Sequence, residues 1–314
     1  MRIFDCSINT TSNKLHNKLS LGSIENDIMK DLRKYSNLFN VEFVDDYKLS
    51  DIIITNTSYP DDILEHSIKH NIPKIKRMDG IFNINAIKDR NISLNNAASQ
   101  SDKVIFISEY SKDVYYKLYG YKLKRECVVL NNVDNIIFKP LNFNKDKFIL
   151  CSSATNWNRK DKRLKSIINL ANRINDKIIL IGRCDDKLPS NIQSLGYIED
   201  YNRINTILNA GSLFLSPFFR CAGSKVTIQA IHAGLPVLYS SSGGIKEMVN
   251  SGESVRDYTE IDFLDNIPDI DDDDLYNKYI IIKNNYKSYT NFVKKEDYKD
   301  TIKKYFDEIL STNI

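Results

Sequence analysis

The stretch SPFFRCAGSKVTIQAIHAGLPVLYSSSGGIKEMV, residues Ser216 to Val249, decides the reading of the fold. It begins at the end of a strand, Leu213-Phe214-Leu215-Ser216-Pro217, and continues into a loop, Phe218 to Ser224, that contains Gly223. Lys225 to Ala233 reads as a helix, stopped by Gly234 and followed by Pro236. Val237-Leu238-Tyr239 is a new strand that ends in Ser240-Ser241-Ser242-Gly243-Gly244, and Ile245 to Val249 starts another helix. Two loop-to-helix junctions therefore follow two successive strands. In open α/β sheets, ligands bind beyond the carboxyl ends of the strands. Helix N-termini there present free N–H groups and partial positive charge to anions, and glycines allow close approach to the backbone. The stretch is a candidate site for a ligand that carries phosphate and sugar.

Outward from this centre, a length of 314 residues predicts two domains, each large enough for a core. The chain is 42% hydrophobic and 27% charged, the balance of a globular protein. A net charge of +3, with lysines and aspartates spread along the chain, gives no reason to expect nucleic acid as a partner. The five cysteines, at 6, 127, 151, 184 and 221, are odd in number and form no C-x-x-C pair. That argues against a disulfide framework or a zinc site and suits a reducing compartment. Met1 to Cys6 holds too few apolar residues for a signal peptide, and no run is long enough for a transmembrane helix. The expectation is a cytoplasmic protein with no transmembrane segment, which leaves room for peripheral membrane contact. The oligomeric state is not legible.

In the first half, strands are predicted at Arg2 to Ile8, Val41 to Val44, Ile52 to Thr55, from Ile75, at Val104 to Ser108 and at Cys127 to Leu130. Helices are predicted at Ile24 to Tyr35, Asp61 to His70 and Lys112 to Tyr119, with Ser111 as a cap of the last and Gly120 ending it. Ile75-Lys76-Arg77-Met78-Asp79-Gly80 ends a strand where a ligand would lie. Arg77 could hold an anionic or hydroxyl-rich ligand and Asp79 could accept a proton or hydrogen bond from a hydroxyl; alternatively the two pair with each other.

In the second half, Phe148 to Ser152 and Lys177 to Ile181 read as strands and Leu164 to Ile174 as an amphipathic helix. Between them lies the basic loop Ser153 to Lys162, SATNWNRKDK. Leu195-Gly196-Tyr197-Ile198 reads as a short strand, Tyr201 to Leu208 as a helix, and Glu253 to Asp265 as irregular. The four aspartates before Leu275 are expected to cap a helix, since carboxylates are favourable in its first turn. Leu275 to Tyr289 and Lys295 to Leu310 are the last helices. Phe292, Tyr298, Ile302, Tyr305 and Ile309 are candidates for the buried face of the final one.

Several motifs carry a resemblance. Gln229-Ala230-Ile231-His232-Ala233-Gly234-Leu235-Pro236-Val237, then Ser241, Gly243, Gly244 and Glu247, resemble the signature region of the retaining glycosyltransferases of family 4, which have the GT-B fold. The runs from Ala97 to Lys112 and from Asn131 to Pro140 are similar to further family motifs. The chain departs at both acidic positions of the family's Glu-x7-Glu pair, which fall on Cys221 and Gln229.

The resemblance implies an α/β protein of two Rossmann-like domains facing each other across a cleft. These are residues 1–143 on the acceptor side, joined by a C-terminal helix of about 295–314 that crosses back, and residues 144–294 on the donor side. It implies an enzyme of the hexosyltransferase type that uses a UDP-sugar donor and a glycan or hydroxyl acceptor, with no cofactor and no metal. Arg159 and Lys162 would face the donor diphosphate, and a leaving diphosphate gathers charge that preorganised cations stabilise in the transition state. The donor side would also use Tyr197, Cys221, Gly223, Ser224, Lys225, Gln229, Ser242, Gly243 and Gly244. Tyr197 fits a base-stacking role and a core role equally. His232 reads as a packing residue. Asn9, Arg77 and Asp79 would lie toward the acceptor, and Arg77, Asp79, Arg159 and Lys162 form the catalytic set. The same residues fit two other readings: a sugar-nucleotide-binding or carbohydrate-binding protein without turnover, and a GT-B sugar-nucleotide epimerase.

Overall fold

The computed structural model describes residues 1–6, 23–80, 88–120, 122–262, 264–290 and 297–313. The chain forms two compact units. Unit 1 comprises Met1–Leu130, Ile261–Asp265 and Lys299–Ile314, and unit 2 comprises Asn131–Glu260 and Asn266–Tyr298. Each contains a six-stranded, wholly parallel sheet with flanking helices, the Rossmann-like pairing expected of the GT-B class.

The sheet of unit 1 is built from β1 (Arg2–Asp5), β2 (Glu42–Val44), β3 (Ile52–Thr55), β4 (Lys74–Met78), β5 (Lys103–Phe106) and β6 (Glu126–Val128), in the order β2-β1-β3-β4-β5-β6. Its central strands are buried end to end, as a parallel sheet covered on both faces requires. The helices among them are α1 (Ser23–Tyr35), α2 (Asp61–Lys69), α3 (Lys88–Ser99) and α4 (Glu109–Tyr119). Ser108, not Ser111, caps α4: its hydroxyl accepts from Ser111 N at 3.0 Å while the Ser111 hydroxyl accepts from Ser108 N at 3.2 Å. The reciprocal pair places Ser111 inside the first turn, so the helix starts three residues earlier than expected.

Unit 2 contains β7 (Ile149–Asn156), β8 (Lys177–Arg183), β9 (Ile192–Ser194), β10 (Leu213–Ser216), β11 (Val237–Ser240) and β12 (Gly252–Val255), in the order β12-β11-β10-β7-β8-β9. This is the dinucleotide-fold order, with its switch point between β7 and β10. The helices are α5 (Leu164–Ala171), α6 (Tyr201–Ala210), α7 (Lys225–His232), α8 (Asp272–Asn284) and the short α9 (Tyr286–Thr290). Asp271 caps α8 by accepting from Asp274 N at 2.9 Å. β9 lies before the expected Leu195–Ile198 strand, where the pairing with β8 continues through Leu195 N donating to Leu180 O at 2.9 Å and a bridge between Gly196 and Gly182. β12 occupies part of the stretch read as irregular, because Gly-Glu-Ser-Val lacks an apolar run and is held by backbone pairing to β11.

Residues 131–143, grouped with the first domain by the sequence reading, are tied to unit 2. Asn131 Nδ2 donates to Gly223 O at 3.2 Å, and Leu141 N donates to Asn209 Oδ1 at 2.6 Å. The last helix, α10 (Tyr298–Leu310), continues into the unit 1 segment. Tyr298, Ile302, Tyr305 and Ile309 are buried on it as expected, joined by Phe306, while Phe292 lies outside the described residues.

Candidate functional site

The loops that leave β7 and β10 part company at the switch point of unit 2, where an open parallel sheet leaves a crevice at its carboxyl edge. The β7 loop contains a single 3₁₀ turn, Lys160–Lys162, preceded by Arg159 and followed by Arg163 in the left-handed conformation at φ 51°. Trp157 anchors its start: the indole is buried, donates to Ile181 O at 3.0 Å and packs against Phe218 with ring centroids 6.1 Å apart.

Backbone bonds lace three loops together. Phe219 N donates to Asp161 O at 2.9 Å, which joins the β7 loop to the β10 loop. Gly244 N donates to Cys221 O at 2.9 Å, and Cys221 pairs with Gly243 in a parallel bridge, which joins the β10 loop to the β11 loop. Gly243 sits at φ 113°, and a Cβ there would lie 2.6 Å from Cys221 O and 2.8 Å from Cys221 N. Only glycine allows that approach. The laced loops therefore gather Arg159, Lys162, Cys221, Gly243 and Gly244 in one place. Gly223 and Ser224 follow Cys221 after Ala222.

The charges there are not bare. Arg159 forks onto Asp161, with Nε and Nη2 each 2.9 Å from a carboxylate oxygen, and Lys162 Nζ stands 3.1 Å from the same carboxylate. Burial pushes the Asp161 carboxyl up, but the charges of Lys162 and Arg159 outweigh it and hold the group below the usual carboxylate range. Two cations against one carboxylate leave a net charge of +1. Lys162 Nζ also lies 4.8 Å from the centre of the Phe218 ring. Burial pushes the Cys221 thiol up, against the pull of Lys162. It is neutral at physiological pH and cannot replace a carboxylate.

Ser242 faces inward. Its hydroxyl accepts from Arg220 N at 3.0 Å and reaches Asp257 Oδ2 at 2.5 Å. Asp257, with its side chain fully buried, also takes a two-pronged contact from Arg163, Nη1 to Oδ2 at 2.5 Å and Nη2 to Oδ1 at 2.8 Å. Ser240 donates to the same carboxylate. The Ser242 side chain thus supports the glycine loop from behind. No sequence signal pointed to Asp257, which lies in the stretch read as irregular. Asp161 had one, a carboxylate between Arg159 and Lys162.

Helix α7 starts at Ser224, whose hydroxyl accepts from Thr227 N at 3.3 Å. Lys225 and Gln229 are both buried on it. His232, at its end, is buried and hydrogen-bonds Asn132 Oδ1 through Nε2 at 3.0 Å, a packing role. Tyr197 is 41% exposed, with the Arg183 guanidinium carbon 5.7 Å from its ring centre, so it is not a core tyrosine.

In unit 1, Arg77 is buried on β4. It pairs with Asp79 Oδ1, and its Nε donates to Tyr305 Oη at 3.2 Å. Tyr305 Oη donates in turn to Val129 O at 3.3 Å. The pairing of Arg77 with Asp79 is the alternative weighed from the sequence. Of the two, only Asp79 retains side-chain exposure, 21%. Asn9 lies outside the described residues. Among the described residues, no group of three or more His, Cys, Asp or Glu is placed to hold a metal ion, and no helix is long and apolar enough to cross a membrane.

No family model matches the chain, and no curated protein matches it. Many solved structures do. HepE from Anabaena, in complex with UDP and glucose, is 15% identical, with a TM-score of 0.69 over 99% of each chain. The lipopolysaccharide outer core galactosyltransferase WaaB, in its apo form, is 12% identical, with a TM-score of 0.64 over 99% of each chain. Sucrose-phosphate synthase from Thermosynechococcus elongatus is 13% identical, with a TM-score of 0.63 over 93% of this chain and 80% of that one. The chain is thus similar to these proteins in fold along nearly its whole length, and that fold is the GT-B pair of Rossmann-like units.

Proposed function

We propose that the protein is a retaining glycosyltransferase of the hexosyltransferase type. It would move a sugar from a nucleoside-diphosphate sugar to the hydroxyl of a glycan or another acceptor. The observation that carries this reading is the lacing of the Arg159–Lys162 loop and the Gly243–Gly244 loop through Cys221 at the switch point of unit 2. Small residues and two cations meet there, which suits a diphosphate. A UDP-sugar is the favoured donor, in keeping with the HepE structure that holds UDP and glucose.

In the proposed reaction the acceptor oxygen forms a bond to the anomeric carbon on the face from which the diphosphate departs. The bond between that carbon and the diphosphate oxygen breaks, and the acceptor proton passes to the leaving diphosphate. Arg159 binds the phosphate oxygens as a planar fork and Lys162 as a point charge, so that the charge developing on the leaving group is held. Gln229 would accept from ribose hydroxyls through its amide oxygen. Asp79, fixed by Arg77, would accept a hydrogen bond from a sugar hydroxyl.

A second reading, a sugar-nucleotide-binding protein without turnover, is favoured by one observation: Cys221 and Gln229, neither of them a carboxylate, stand where the resembled family has its acidic pair, and burial holds the Cys221 thiol neutral. The same experiment separates the two. Thermal stability is measured with UDP, GDP, ADP and their common sugars, on the wild type and on Arg159→Ala/Lys162→Ala. A ligand at 100 times its dissociation constant adds about 2.7 kcal/mol. Stabilisation by UDP that is lost in the double variant, with release of UDP from a UDP-sugar in the presence of acceptor, supports the transferase. Stabilisation without release from any sugar supports the binding protein. No stabilisation by any nucleotide overturns both.

A further inference from the structure

Unit 1 contains a concavity of about 520 Å³ at the edge of its sheet opposite Arg77 and Asp79. Lys74 opens β4, whereas Arg77 and Met78 close it, and five strand residues separate the two edges by about 13 Å. Asp102 directly precedes β5, and Lys124 and Arg125 directly precede β6, so three adjacent strand starts supply the charged wall. Ile72 and Pro73 form an apolar wall beside it. Thr312, beyond the end of α10, also lines the space.

The charged groups are ordered. Asp102 Oδ2 accepts from Lys74 N at 2.9 Å and stands 3.5 Å from Lys74 Nζ, and its Oδ1 takes Lys124 Nζ at 2.8 Å. Arg125 Nη1 is anchored at 3.4 Å from Ser311 O. Burial pushes the Asp102 carboxyl up, but the Lys124 contact and the Lys74 bond outweigh it, so it is ionised at neutral pH. Lys74, Lys124 and Arg125 thus share this wall with the single carboxylate of Asp102.

We propose that the concavity is a binding site for a small phosphate monoester that carries hydroxyl groups. Lys124 and Arg125 face the phosphate as charged donors. Asp102, fixed from behind by Lys74, accepts from a hydroxyl, and the carbon skeleton lies along Ile72 and Pro73. The volume falls within the range of small-molecule sites. The proposal does not depend on the transferase reading, because the site lies on the opposite edge of its own sheet from Arg77 and Asp79.

The test is isothermal titration of the full chain with ribose 5-phosphate, ribose and inorganic phosphate, in a phosphate-free buffer, to about 10 mM, a limit that detects millimolar binding. Three proteins are compared: wild type, Lys124→Ala/Arg125→Ala, and Arg159→Ala/Lys162→Ala. Lys124 and Arg125 are both exposed, and melting temperatures without ligand confirm that each variant is folded. Ribose 5-phosphate is expected to bind the wild type and Arg159→Ala/Lys162→Ala alike, at least tenfold more tightly than inorganic phosphate or ribose. At least tenfold weakening is expected in Lys124→Ala/Arg125→Ala. Loss of binding in Arg159→Ala/Lys162→Ala with none in Lys124→Ala/Arg125→Ala overturns the proposal, as does the absence of saturable binding. Equal affinity for inorganic phosphate and ribose 5-phosphate overturns the assignment of Asp102 to a hydroxyl.

Discussion

The guanidinium of Arg163 grips both carboxylate oxygens of Asp257, Nη1 to Oδ2 at 2.5 Å and Nη2 to Oδ1 at 2.8 Å. Both side chains are out of solvent, and Arg163 stands at φ 51°. Ser240 and Ser242 complete the shell of Asp257. The ion pair thus joins the turn that carries Lys162 to the segment after β12, and the two serines join that segment to the loop that carries Gly243. Breaking such a pair leaves a buried charge uncompensated. Asp257→Asn and Arg163→Met are each expected to destabilise unit 2 by about 3–5 kcal/mol. The double variant should be more stable than the sum of the two losses implies, because neither charge is then left alone. Denaturant midpoints for all four proteins check this, and purely additive losses would contradict the pairing.

The same pair sets a dependence on acid. Burial alone would push the Asp257 carboxyl up, yet the hydrogen bonds and charge of Arg163 hold it below the usual range. Asp161 is lowered in the same way by Lys162 and Arg159. Their folded pKa values lie below the unfolded value of about 3.9. Their contribution is therefore complete above that value and is lost as pH falls through the lower, folded one. Stability should be level from neutral pH to about pH 5 and fall steeply below it. Asp257→Asn should flatten part of that fall. Urea midpoints across this range measure it, and an unchanged acid slope in the variant would remove Asp257 from the account.

Fold and site differ in how far the sequence revealed them. Ile52–Thr55 and the run after Leu213 are apolar enough that burial on both faces of a sheet is the only economical reading, and both are central strands. β12 is different, because Gly252 and Glu253 interrupt any apolar run and its place comes from pairing with β11 alone. For the candidate site, the family resemblance singled out the Arg159–Lys162 loop and the two glycines, because short motifs are written along the chain. Asp257 contacts Arg163 across 94 residues and Ser242 across 15, and a pairing at such separation leaves no periodic trace. Arg77 shows the reverse limit. Its position at a strand end suggested a ligand, but Tyr305, 228 residues away, holds it in the interior.

Asp161 is placed to oppose anion binding. It shares its carboxylate between Arg159 and Lys162, and a diphosphate must compete for the same donors. Asp161→Asn raises the local charge from +1 to +2. The expected result is tighter UDP binding by about three- to tenfold, on the order of 1 kcal/mol for a partly screened pair. The salt dependence of binding should steepen as well. Titration of UDP at two ionic strengths measures both. Weaker binding in the variant would mean that Asp161 holds the cations in register for the ligand and does not compete with it.

Gly243 and Gly196 offer a matched comparison. Both have positive φ, 113° and 69°. An added Cβ at Gly196 meets nothing within 4 Å, whereas at Gly243 it lies 2.6 Å from Cys221 O. Gly196→Ala should cost only the left-handed backbone penalty, about 1–2 kcal/mol, with UDP binding unchanged. Gly243→Ala adds a clash with the backbone that bridges the β10 and β11 loops. It must either part Cys221 from Gly243 or force both chains to shift. The expected outcome is a larger loss of stability together with a loss of nucleotide affinity, because the two loops are no longer held side by side. Equal behaviour of the two alanine variants would show that the close approach at Cys221 is not what shapes the site.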